Sequence, residues 1–156
     1  MLDLYKECAI NKVLIISLIL FFSGCAAQGK SNNAIFTEAS QDLVSNLKPG
    51  ETGINFRAAE IPSHGMLADS LIISMEGGAN ASSLKEELIA AKKNGDAGFL
   101  ILGGNNSLDN AVISGALKNQ DLSGLKIYFA GNSDQESQIQ KIIEESKADF
   151  HFISRE

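Results

Sequence analysis

The chain has 156 residues, with 13 Lys and Arg against 19 Asp and Glu and a formal net charge of −6. That length supports one packed core and not two long domains. Apolar residues make up 44% and charged residues 21%, which excludes a largely disordered chain. An acidic balance with no basic cluster excludes nucleic acid as a partner.

In chain order, the first feature is the run V-L-I-I-S-L-I-L-F-F from Val13 to Phe22. Ten residues span about 15 Å as a helix, roughly half a bilayer core. That is short for a transmembrane helix and suited to the apolar region of a signal peptide. Phe22-Ser23-Gly24-Cys25 follows at once. This stretch resembles the lipobox of bacterial lipoproteins, in which small residues precede an acylated cysteine. The resemblance implies that residues 1–24 are a signal peptide and that Cys25 carries lipid as the first mature residue. Its implied partner is the lipid bilayer, and its implied place is the cell envelope. Ala26 rather than Asp after the cysteine implies the outer membrane, facing the periplasm, for a Gram-negative source. Two details depart from the pattern. Phe22 stands where lipoboxes usually carry Leu, and Asp3, Lys6, Glu7 and Lys12 sum to zero where a leader is normally basic. Cys8 lies within the leader, so no disulfide is expected in the folded part.

Residues 25–34 read as a flexible tether, small and polar. Residues 35–156 read as one α/β domain. Thr37 to Leu47 carries Ala39, Leu43, Val44 and Leu47 on one stripe, which predicts a helix capped by Thr37 and ended by Lys48-Pro49-Gly50. Gly53 to Ile61 alternates in polarity and predicts a half-buried edge strand. Pro62-Ser63-His64-Gly65 is a turn.

Beyond Leu67 a unit repeats. Ser70–Met75, Gly98–Leu102 and Leu125–Ala130 read as continuous apolar strands. Each runs into a loop rich in Gly, Asn and Ser, and then into a helix: about Leu84–Asn94, Leu108–Asn119 and Gln135–Lys147. Phe150–Ser154 reads as a last short strand. Strands apolar on both faces point to a parallel sheet covered by helices. The expected fold is therefore a three-layer α/β domain, with a mostly parallel sheet of about four or five strands.

In such sheets ligands gather beyond the carboxyl ends of the strands. The candidate ligand rim is Asn80, Gly103, Gly104, Asn105, Ser107, Gly131, Asn132 and Ser133, where backbone N–H groups open helices. The same residues also serve any short βα loop as turn formers and caps. Gly103-Gly104-Asn105-Asn106 resembles the Gly-x-Asn block of SGNH-type hydrolases, where such an asparagine helps to build an oxyanion hole. That family also uses a Gly-Asp-Ser nucleophile block and an Asp-x-x-His. Ala68-Asp69-Ser70 opens an apolar run rather than closing one, and Asp149-Phe150-His151 has another spacing. No catalytic residue, cofactor or metal is therefore expected, and His64 and His151 read as surface or edge histidines. The leading functional expectation is a membrane-anchored, non-catalytic interaction or scaffold component of the envelope, with a protein partner there. The alternative is a small-molecule-binding, anion-binding or hydrolytic domain that uses the carboxyl-end loops.

Overall fold

The computed structural model describes residues 29–47 and 54–156. The proposed leader, Cys25 and the Lys48-Pro49-Gly50 stop lie outside the described residues. Within them, four strands form one sheet: β1 (Phe56–Glu60), β2 (Gly98–Leu102), β3 (Lys126–Gly131) and β4 (Asp149–Ser154). All neighbours are parallel and the spatial order is β1-β2-β3-β4. The helices are α1 (Asn32–Ser45), α2 (Met66–Ser74), α3 (Gly78–Asn94), α4 (Asn106–Leu117) and α5 (Glu136–Glu145), the last preceded by a 3₁₀ turn at Ser133–Gln135.

The register sorts the side chains into two faces. Phe99, Ile101, Ile127 and Phe129 meet α3, α4 and α5 through Leu84, Leu88, Val112, Ile113, Ile139 and Ile143. On the other face Leu100, Leu102, Tyr128, Ala130 and Ile153 meet α1 through Ile35, Ala39 and Leu43. The sheet thus has helices on both faces, as expected of a three-layer α/β domain. Every crossover steps one strand in the same direction, so the crossover helices share one face, and among the described residues α1 covers the other. No reversal of strand order opens a crevice within the sheet.

Three elements differ from the sequence reading. First, α1 begins at Asn32, five residues before Thr37, with Ser31 as its cap. The Ser31 Oγ accepts from the Ala34 N–H, and Thr37 Oγ1 instead donates back to the Asn33 carbonyl. Second, Ser70–Met75 is not a strand: Ser70–Ser74 is the second half of α2 and Met75 its C-cap. A six-residue apolar run carries no period that separates helix from strand. Here β1 already supplies the strand of that unit. Third, α3 starts at Gly78, so Glu76–Ser83 is mostly helix, and the tight α2–α3 corner is made by Gly77 at φ 87° and Gly78 at φ 51°. The corner packs on α4 at Gly115, where a Cβ would run into the Glu76 carbonyl oxygen.

Candidate functional site at the carboxyl ends of β2 and β3

Two βα loops meet at the carboxyl rim. The first runs from Leu102 through Gly103, Gly104 and Asn105 into α4. Asn105 caps the helix, its Oδ1 accepting from the Leu108 N–H at 3.1 Å. One turn into α4, Asp109 folds back beneath the loop. Its Oδ2 accepts from the backbone N–H groups of Gly104 (3.0 Å) and Asn105 (3.1 Å). Gly103 must be glycine here, since an added Cβ would lie 2.5 Å from that same oxygen and 2.7 Å from the Phe129 ring.

The second loop leaves β3 at Gly131. Asn132 and Gln135 cap each other in a box: Gln135 Oε1 accepts from the Asn132 N–H at 2.8 Å. The other end of the Gln135 amide, Nε2, donates to Asp109 Oδ2 at 3.0 Å. Gln135 is only 2% exposed and Asp109 is fully buried. A buried carboxylate–amide pair therefore ties the two loops together from below.

A second tie lies above it. Asn132 Nδ2 donates to Asn106 Oδ1 at 3.0 Å, and Asn106 Nδ2 donates to Asp134 Oδ2 at 2.7 Å. Asn110 Nδ2 extends the seam along α4 and α5 to Gln138 Oε1 at 3.1 Å. At the end of β4, the Arg155 N–H donates to the Gly131 carbonyl and its guanidinium donates to Asn32 Oδ1 at 2.6 Å.

The electrostatics are uneven. Burial pushes the Asp109 carboxyl above the usual carboxylate range, against hydrogen bonds from Gln135, Gly104 and Asn105 and the nearby charge of Arg155. Asp109 Oδ1 and Arg155 Nε are both buried and have no hydrogen-bond partner among the described residues. An unpaired buried polar atom is costly, and both atoms lie shielded from solvent beneath the loops.

Of the residues expected at the rim, Gly103, Gly104, Asn105, Gly131, Asn132 and Ser133 do lie on these two loops. Ser107 is exposed in the first turn of α4, and Ser133 Oγ meets Ser154 Oγ at 3.5 Å. Asn80 is elsewhere, in the first turn of α3. There it lines a cavity of about 220 Å³ beside β1 with Ile61, Pro62, Ser83, Glu87 and Val112. His64 and His151 do not join the loops: the His64 N–H donates to Asp69 Oδ1 at 2.8 Å, and His151 packs on the Tyr128 ring at 5.0 Å. The convergent set is Asn106, Asn132, Asp134, Gln135, Asp109 and Arg155. Asp109, Gln135 and Arg155 were absent from the sequence expectation. One signal was legible: Asp109 falls four residues after the Asn105 cap, and Asp69 four after the Gly65 cap, where a carboxylate reaches back to the loop.

The expectation of a non-catalytic scaffold component is corrected by this rim. The loops are not bare turn chemistry but a connected network of carboxylate and amide groups at the strand carboxyl ends. Among the described residues no helix is long and apolar enough to cross a membrane. Among those same residues no group of three or more His, Cys, Asp or Glu is placed to hold a metal ion. No protein-family model matches the chain, and neither the curated proteins nor the solved structures yield a match.

Proposed function

We propose that the domain binds a small, neutral, hydroxyl-bearing molecule at the rim between β2 and β3. The observation that carries this reading is the half-buried seam from Asn132 to Asn106 to the exposed Asp134, held in place from below by the buried Asp109–Gln135 pair. In and around it stand amide and hydroxyl groups that both donate and accept, from Asn106, Asn132, Ser133 and Ser154. Such groups match hydroxyls, which also do both. Asp134, Glu136 and Asp109 disfavour an anion, and the Arg155 guanidinium already gives its Nη2 to Asn32 Oδ1. The helix N-termini of α4 and the 3₁₀ turn supply further N–H groups.

The test is calorimetric titration with a panel of polyols and simple sugars against phosphate and sulfate. Binding of a neutral ligand that Asn106→Ala with Asn132→Ala abolishes supports the reading. Binding of anions alone, or ligand binding that survives the double change, contradicts it.

For location, we propose that Cys25 is acylated and holds the domain at the envelope bilayer, in the outer membrane of a Gram-negative source. The support is the run Val13–Phe22 followed by Ser23-Gly24-Cys25. Mass spectrometry of the mature protein checks it: an acylated Cys25 as the first residue is expected, and an intact leader with a free thiol overturns it.

A further inference from the structure

Helix α2 turns only part of its apolar surface inward. In its sequence, M-L-A-D-S-L-I-I-S, Ile72 and Ile73 pack against the core and Asp69 is buried, while Met66 is 85% exposed and Leu67 89%. Leu71 and, just past the helix, Met75 continue the exposed stripe at 61% and 60%. Leu67, Leu71 and Met75 are four residues apart and share one face. Asp69 explains the pose. Its Oδ2 accepts from Ser63 Oγ at 2.6 Å and its Oδ1 from the His64 N–H at 2.8 Å, so the carboxylate staples the turn after β1 to the helix. The stapled turn fixes Met66 and Leu67 at the carboxyl end of the sheet, with their side chains turned outward. Large exposed apolar side chains gathered on one helix mark a contact surface.

The described chain also begins at that end. The Lys30 N–H donates to the Arg155 carbonyl at 2.7 Å, just past β4. Gly29 therefore lies on the same rim as Met66, across a sheet about 14 Å wide. The apolar run Val13–Phe22 ends seven residues before Gly29. From Cys25 only four residue steps remain, about 14 Å at full extension. A strip one helix wide and about 14 Å long is small for a second copy, since stable pairs bury roughly 800 Å² per partner. A lipid surface sets no such minimum, and each apolar side chain that enters it gains separately.

We infer that Met66 and Leu67 insert into the lipid bilayer, so that the carboxyl rim faces the membrane at close range. The inference rests on the reading of Cys25 as the anchor. The rim ligand is then met at the headgroup layer rather than in open solvent.

The chain contains no tryptophan, which makes the test direct. Leu67→Trp and, as the control on the far end of α1, Val44→Trp are each made in the full-length protein. Val44 is 55% exposed and sits next to Leu43, which packs at the amino end of β2. Each protein is purified with its native acylation and reconstituted in phosphatidylethanolamine–phosphatidylglycerol vesicles carrying brominated acyl chains. Flotation with the vesicles reads the anchor, and tryptophan quenching reads the contact. The expected result is a blue shift and several-fold stronger quenching at position 67 than at position 44. Flotation with equal or no quenching at position 67 overturns the inference while leaving the anchor. Failure to float overturns both. A blue shift at position 67 without vesicles, from a second copy or from residues 13–22 seated on the stripe, also overturns it.

Discussion

Asp109 and Asp69 occupy the same place in their helices and do the same work, each turning a carboxylate back onto the loop that opens the helix. For Asp109 the consequence is large because the site is fully buried. Asp109→Ala strands the N–H groups of Gly104 and Asn105 and the Gln135 amide, and should cost about 2–4 kcal/mol by urea unfolding. Asp109→Asn isolates the charge. Since burial raises the wild-type carboxyl, the folded protein keeps that proton to higher pH than the unfolded chain. The group is therefore least costly below about pH 4, and stability is lost as pH rises through the raised value. The Asn variant should gain on wild type as pH goes from about 4 to about 8, and a pH-independent gap contradicts the assignment. Asp42 has the opposite sign. The Tyr128 hydroxyl at 2.6 Å and the Lys126 ammonium at 2.9 Å hold its carboxyl below the usual range. Its stabilisation is present above about pH 4 and is lost as pH falls toward the lowered value. Tyr128→Phe should cost about 1–2 kcal/mol near neutral pH and flatten the acid limb of the stability profile. At this scale the sequence was partly legible. Glycine and asparagine announced the loops. The residues that lock them sit inside helices, where Asp and Gln look like ordinary surface polar residues.

Among the elements, the strands that lie on both sides of the core were plain in the sequence: β2 coincides with Gly98–Leu102, because apolarity on both faces leaves no other stable place for that run. The α2 run was not legible, since Met66, Leu67 and Leu71 face outward while Asp69 is buried beside the core-packed Ile72 and Ile73, a mixture that periodicity does not resolve. Gly115, in the middle of α4, is where the α2–α3 corner packs against that helix. Gly115→Ala forces a Cβ onto the Glu76 carbonyl and should destabilise by about 1–3 kcal/mol, read as a lower urea midpoint with an unchanged slope. A neutral or stabilising result would show that the α2–α3 corner is free to move away from α4.

For the molecule as a whole, strand order decides where function can sit. With every crossover on one face, no crevice opens within the sheet, and the polar groups gather on the rim itself, where the loops after β2 and β3 are tied by Asp109–Gln135 below and Asn106–Asn132–Asp134 above. The same end carries Met66, Leu67 and the start of α1. Ligand network and apolar edge therefore share one surface, while the amino end holds a separate cavity of about 580 Å³ lined by Ile54, Lys92, Asp96 and Ser123. The most direct measurement is an NMR titration of the isotope-labelled protein with the neutral polyols and sugars. Saturable amide shifts confined to Gly103–Asn106, Asn132–Gln135 and Arg155, and lost in the Asn106→Ala, Asn132→Ala double variant, are the expected result. Shifts that centre on the amino-end cavity contradict the rim as the binding site, and shifts that appear only with phosphate or sulfate contradict a neutral ligand there.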